Sequence, residues 1–165
     1  MKKLYRTSAG LWADAFAASA KLADDLHAAH RYNAACSAAL AAAGQGEDAG
    51  KLDDKEKARL RKQALDWLRA DLALRTKQLE IGQAADRTAM QNALRHWQQD
   101  SDLAGLRDPA VLAKLPAEER AAWEKLWADV ANLLTKAEEK TKMTALAFLG
   151  RDGARAPDEV HLCDA

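Results

Sequence analysis

The stretch RYNAACSAALAAAGQGEDAGKLDDKEKARLRKQALDWLRADLAL, residues 31–74, decides the fold. Its first half is rich in alanine, the residue with the best helix propensity and almost no bulk. A helix with such a face admits a second helix at close range. Gly44 closes it at the position where helices favour a left-handed residue. A Gly-rich turn follows, from Gly44 to Asp53. Asp53 with Glu56 three residues on resembles a capping box and starts a longer helix centred on Trp67. Leu60, Ala64, Trp67 and Leu68 form one apolar stripe on it, and Leu65, Leu72 and Leu79 form a second. Two stripes predict a helix packed on more than one side. It ends near Ile81, before Gly82. Asp71 and Arg75 stand one turn apart and are expected to pair on its polar side.

Outward from this hairpin the periodicity stays helical. Ser8–Ala18 carries Leu11, Trp12, Ala15 and Phe16 on one face. The Ala-rich helix is expected to start near Lys21 and run unbroken to Ala43. A further helix over Asp86–Gln99 uses Met90, Ala93, Leu94 and Trp97. Two short pieces follow, Leu103–Leu106 and a turn opened by Asp108-Pro109. Pro116 then opens the last long helix, with Glu118 and Glu119 at its positive end and Trp123, Leu126, Trp127, Val130, Leu133, Leu134 and Ala137 recurring at a helical period. It is expected to fray after Lys140, with a brief separate helix over Met143–Leu149. The Gly, Pro and charge of Arg151–Ala165 predict a disordered tail. The expected fold is all-α, antiparallel helix pairs stacked as a short solenoid, with one domain over residues 8–140 and the remainder, 141–165, outside it.

Composition narrows the function. The 165 residues carry 25 Lys plus Arg against 25 Asp plus Glu, so no net charge steers the chain toward nucleic acid or an anionic membrane. No apolar run is long enough to span a bilayer. Met1-Lys2-Lys3 and the following AASA mimic a signal peptide, but Arg6 and Asp14 interrupt its apolar core. Cys36 and Cys163 lack zinc-type spacing, and their usage predicts a reducing, cytoplasmic setting.

Trp12-Ala13-Asp14-Ala15 recurs as Trp67-Leu68-Arg69-Ala70 and as Trp127-Ala128-Asp129-Val130, each with a large aromatic and a small or apolar residue on one helical face. With Tyr32–Cys36, the RKQALDWLRADLAL run over 61–74, Asp102–Arg107 and PAEERAAWEKLWADV over 116–130, the chain resembles a tetratricopeptide repeat array. More narrowly, it resembles the C-terminal repeat region of planctomycete-type bacterial serine/threonine protein kinases. The resemblance covers roughly residues 8–140 and implies stacked helix pairs that recruit a protein or peptide partner. It departs from the ideal repeat at Ala20, where a proline usually stands, in the long turn over 45–53, and in the broken unit around Leu106. It does not imply kinase activity. A Gly-rich phosphate loop, a Val-Ala-Ile-Lys lysine and a DFG motif are missing, and in His30-Arg31-Tyr32 a tyrosine stands where the catalytic Asp belongs.

Three constellations remain. Gly44, Gly46 and Gly50-Lys51 approach a phosphate loop, but Gln45 and Leu52 occupy its first glycine and its hydroxyl positions, so the stretch reads as a flexible turn. Asp24, His27 and His30 offer zinc- or haem-type ligands without a third and fourth partner, since Cys36 is expected to be buried and His96 is distant. Lys55, Lys57, Arg59, Arg61 and Lys62, extended by Arg69, form a basic run read first as a solvated face, then as a seat for an acidic peptide, and last as a nucleic-acid contact. Of the five tryptophans, Trp12 and Trp123 are those expected to be exposed.

The reading is a non-catalytic scaffold or adaptor, with no cofactor, no metal and no catalytic residues. Tyr32, Asn33, Lys55, Arg59, Lys62 and Arg69 are its candidate partner contacts, and Leu11, Trp12 and Phe16 a candidate face for self-association. Two alternatives stand beside it. One is a detached C-terminal regulatory region of a bacterial kinase. The other is a small helical-bundle metal- or haem-binding protein using His27 and His30.

Overall fold

The computed structural model describes residues 3–152, and all regular structure within them is helical. The helices are α1 (Tyr5–Ala18), α2 (Ala20–Ala23), α3 (His30–Ala42), α4 (Asp54–Ile81), α5 (Ala84–Gln99), α6 (Pro109–Leu112) and α7 (Ala117–Asp152), with a 3-10 helix over Ser101–Leu106 between α5 and α6.

The Ala-rich helix is the centre of the molecule. In α3, nine of thirteen residues are buried. It packs against α1, against α4 and against the 3-10 helix. Ala34, Ala35, Ala38 and Ala41 have no exposed surface, so it is hemmed in on several sides rather than along one face. Its end follows the sequence reading. Gly44 lies at φ +74. The Gln45 N–H reaches the Leu40 carbonyl and the Gly44 N–H that of Ala41, a Schellman ending.

The start of this helix corrects the sequence reading, which ran it unbroken from Lys21. The Asp25 carboxylate accepts hydrogen bonds from the backbone of His27 and of Ala28, both at 3.0 Å. Asp competes in this way with the helical ladder. Ala29 then turns left-handed, at φ 53, so that α2 and α3 are separate helices.

The Gly-rich turn is also not a free linker. It docks on the start of α1. The Asp48 carboxylate accepts from the backbone N–H of Thr7 at 2.8 Å and of Arg6 at 3.3 Å, which caps α1 from forty residues away. The Glu47 N–H bonds the Lys3 carbonyl. Gly46, at φ +95, lies so close to that carbonyl that a Cβ would meet it at 2.6 Å.

α4 begins with the N-cap half of the expected box, the Asp53 carboxylate accepting from the Glu56 N–H at 2.7 Å, while the Glu56 carboxylate accepts from Arg59 instead. It runs 28 residues and touches α3, α5 and α7. α5 lies antiparallel to α7. Arg87 meets Thr144, Gln91 meets Ala137 and Thr141, and Arg95 meets Glu138, in opposite order along the two helices. These contacts hold α7 helical past Lys140, where fraying was expected. The separate helix expected over 143–149 is instead part of α7, a single helix of 36 residues. The expected tail beyond Asp152 lies outside the described residues.

Trp123 corrects a second expectation. It is fully buried, on the same stripe as Leu126 and Val130, and not exposed. Trp12 is half-buried, its ring tilted on Phe16 at 5.4 Å and on His30 at 5.2 Å. Phe16 in turn meets Trp67 edge-on at 5.7 Å. Of the expected self-association face, only Leu11 stays largely open to solvent, at 64% exposure.

Candidate functional site

Two polar arrangements compete for attention, one internal and one at the surface. The internal one joins α3, α4, α5 and the 3-10 helix. Asp71 and Arg75, expected on a polar face, are buried at 2% and 5% side-chain exposure and pair at 2.6 Å. Their turn of α4 is enclosed because α4 is packed on several sides. Burial pushes the Asp71 carboxyl upward, against the pull of Arg75. The Arg75 guanidinium also lies over the Trp97 ring at 5.6 Å. Trp97 stacks on Tyr32 at 5.4 Å and an interplanar angle of 10°.

The Tyr32 hydroxyl donates to Asp100. The Cys36 thiol lies 3.9 Å from the same carboxylate oxygen, and the His96 imidazole 3.5 Å from it. Asp100 Oδ1 accepts from the Asp102 N–H at 2.9 Å and so starts the 3-10 helix. Arg107 donates to the carbonyls of Trp97 and Asp100, both at 3.0 Å, closing the end of α5.

The charges follow from this geometry. Burial pushes the Asp100 carboxyl up, but the Tyr32 hydroxyl and the Asp102 N–H outweigh it and hold the group below its usual value of 3.8. Burial, aided by Asp100, pushes the Cys36 thiol up to about 12 and the Tyr32 phenol higher than its ordinary 10. At neutral pH Cys36 is therefore a thiol, a poor nucleophile.

Cys36, Asp100 and Asp102 are the one grouping of metal-ligand types within 4.8 Å of one another among the described residues. Asp100 is already engaged by three donors there. The sequence pointed instead to Asp24, His27 and His30. The structure takes these apart, with Asp24 paired to Arg31 at 2.7 Å and His30 packed, ring tilted, against Trp12.

A depressed carboxyl stabilises the fold above its unfolded pKa, and the contribution is lost as pH falls through the folded value. Wild-type protein should therefore lose stability on acidification below pH 3.8 through Asp100. Asp100→Asn should cost about 1.5–3 kcal/mol at pH 7, the range for a hydrogen bond to a charged group. It should also flatten the acid limb of a urea-denaturation series. An unchanged acid limb would show that Asp100 is not the group responsible.

The surface arrangement lies between α4 and α7. These helices run parallel and are bridged at both ends. At one end Arg61 pairs with Glu119, with a second contact at 3.0 Å. At the other, Lys140 Nζ donates to the carbonyls of Leu79 at 2.7 Å and Glu80 at 3.4 Å, satisfying the end of α4. Between the bridges the helices part, leaving an open cleft of about 480 Å³. It spans residues 69–79 of α4 and 125–136 of α7, roughly 15 Å at 1.5 Å per residue. Leu72, Ala73, Leu79 and Leu133 give it an apolar floor.

Arg69, Lys125 and Lys136 stand around the cleft with one acid, Asp129. Asp129 already pairs with Lys125 at 2.8 Å. Arg69 donates only to the Ala122 carbonyl, at 3.2 Å, and Lys136 has no carboxylate partner among the described residues. Two cations are thus left without a counter-charge over an apolar floor.

The other expected contacts do not converge here. Tyr32 is internal, 7% exposed, and Asn33 is exposed on α3. The basic run is largely neutralised within the chain, Arg59 by Glu56, Arg61 by Glu119 and Lys62 by Asp66. Lys55 is exposed. Only Arg69 of the set borders the cleft. Lys125 and Lys136 were missed because they lie on another helix, more than fifty residues away.

No protein-family model, curated protein or solved structure matches the chain. No helix among the described residues is long and apolar enough to cross a membrane.

Proposed function

We propose that the protein is a non-catalytic interaction module whose α4–α7 cleft seats an acidic, amphipathic helical peptide. The observation that carries this reading is the cleft itself, clamped at both ends and open between, with Arg69 and Lys136 uncompensated over leucines. An amphipathic helix of about eleven residues matches the cleft's length and would place leucine-like side chains on its floor. Carboxylates on the peptide would meet the two cations. The pairing of α3 with α4 and of α5 with α7 supports a tetratricopeptide-like plan of helix pairs, drawn out here because α4 and α7 exceed the helices of a repeat of about 34 residues. The protonated state of Cys36 and the structural commitments of Asp71, Arg75 and Asp100 support a non-catalytic role.

The test is fluorescence anisotropy with a labelled twelve-residue peptide carrying Leu at helical spacing and Glu between. Saturable binding is expected at low salt, weakened about tenfold between 50 and 300 mM salt as screening sets in. Arg69→Glu with Lys136→Glu should weaken it at least about tenfold, and a Lys-for-Glu peptide should not bind. Binding indifferent to salt and to both substitutions would remove the cleft from the reading.

A further inference from the structure

The apolar floor of the α4–α7 cleft continues past the clamp at its Lys140 end. Ile81, the last residue of α4, and Met143 of α7 are the two most exposed large hydrophobic side chains among the described residues. Met143 follows Lys136 by seven residues and Lys140 by three, so the three share one face of α7. Lys140 itself holds the end of α4, where Ile81 stands. An uncovered apolar strip therefore leads from Leu79 and Leu133 in the cleft toward the end of α7.

The chain itself carries a segment of complementary chemistry. Residues 153–165 read GARAPDEVHLCDA and lie outside the described residues. Asp158, Glu159 and Asp164 outweigh Arg155. Val160 and Leu162 stand two apart, so an extended chain presents both on one side. Pro157 favours extended backbone at Ala156, just before them. The reach is also sufficient. From Asp152 back to Lys136 is roughly 24 Å along α7, and back to Lys125 roughly 40 Å, at 1.5 Å per residue. Residues 153–165 can span up to about 43 Å when extended. Folded back along α7, they would bring Glu159 level with Lys136, Val160 and Leu162 over Leu133 and Leu79, and Asp164 toward Arg69.

We propose that residues 158–164 occupy the α4–α7 cleft as a built-in competitor, an inference that rests on the reading of that cleft as a peptide seat. The acids supply the counter-charge that Arg69 and Lys136 lack, and the two apolar side chains cover the floor. The same segment of a second copy has the same chemistry. The tether, however, gives the chain's own segment an effective concentration on the order of 1 mM, well above that of protein at micromolar working levels. With an intrinsic dissociation constant on the order of 0.1 mM, the segment would fill the cleft about nine-tenths of the time. An outside peptide would then bind about tenfold more weakly than the cleft alone allows.

The experiment uses the full chain in two readouts. A nitroxide is attached at Cys163, since Cys36 is a buried, protonated thiol. Its paramagnetic broadening of amide peaks should concentrate at residues 72–79 and 129–136 and fade as salt rises. The twelve-residue Leu/Glu peptide is then titrated against wild type and two tail variants. One is neutralised, Asp158→Asn with Glu159→Gln and Asp164→Asn. The other, Val160→Ser with Leu162→Ser, keeps every charge and so separates docking from simple repulsion of an acidic peptide. Both should bind the peptide about tenfold more tightly than wild type. Equal affinity in all three proteins, or a cleft untouched by the label, would overturn the competitor and leave the peptide seat standing. Broadening in the cleft without peptide binding to any of the three would keep the segment there and remove the outside peptide instead. Broadening that passes to an unlabelled second copy would also overturn the proposal, because the segment would then act between molecules.

Discussion

Arg75→Met should destabilise the protein by about 3–5 kcal/mol, the range for removing one partner of a buried ion pair. Methionine matches the length of the arginine stem, so little volume is lost. What remains is the Asp71 carboxylate, 2% exposed, with its counter-ion gone. The cation over Trp97 is lost as well. Burial already raises the Asp71 carboxyl above its usual value of 3.8, and the substitution should raise it further. A carboxyl whose folded pKa is raised penalises the fold most above that pKa. The penalty is relieved as pH falls toward the unfolded value. The deficit of the variant against wild type should therefore shrink on moving from pH 7 toward pH 4. Replacing both partners, Asp71→Leu with Arg75→Met, should recover most of the loss, since a well-packed apolar pair needs no desolvated charge. Guanidinium denaturation of the four proteins at several pH values measures this directly. A loss under about 1 kcal/mol in the single variant would mean that water reaches the pair and that α4 is not enclosed.

Trp97→Ala should cost about 3–5 kcal/mol, the usual range for truncating a buried large aromatic. The residue is 1% exposed and occupies the junction of three elements. Its ring stacks on Tyr32 of α3, carries Arg75 of α4 on its other contacts, and its carbonyl takes a hydrogen bond from Arg107. At about 2–4 °C per kcal/mol for a chain of this length, the melting temperature should fall by roughly 6–20 °C. Trp97→Phe keeps the stack and most of the volume and should cost less than half as much. Equal losses from the two substitutions would show that the indole's size, and not its stacking plane, is what the junction requires.

The parts of the fold that the sequence revealed are those decided by neighbours in the chain. Gly44 and Asp53 act within one turn of their own helices, so their capping roles were readable. The helical recurrence of Trp123, Leu126 and Val130 is readable for the same reason, whereas the burial of Trp123, expected at the surface, depends on the helices packed around it. The failures share a cause. Asp71 and Arg75 look like an ordinary surface pair until α3, with Arg31, and α5, with Trp97, close around them. Asp48 caps a helix forty residues earlier, and no local pattern announces that. Asp25 breaks an alanine-rich run whose propensity favours continuity, because its carboxylate offers the backbone two other hydrogen bonds. Of the candidate cleft, only Arg69 was singled out. The site is assembled by two parallel helices far apart in sequence, so its charge balance exists only in the folded molecule.

The most direct test of the interaction reading is to map where the acidic peptide binds. Amide nitrogen–proton spectra of the protein, recorded during titration with the twelve-residue Leu/Glu peptide, report this residue by residue. The account predicts shifts concentrated at residues 69–79 and 125–136, facing the cleft, with α1 and the Gly44–Asp53 turn unmoved. Shifts centred on Leu4, Leu11 and the outer face of α1, with the cleft silent, would contradict it.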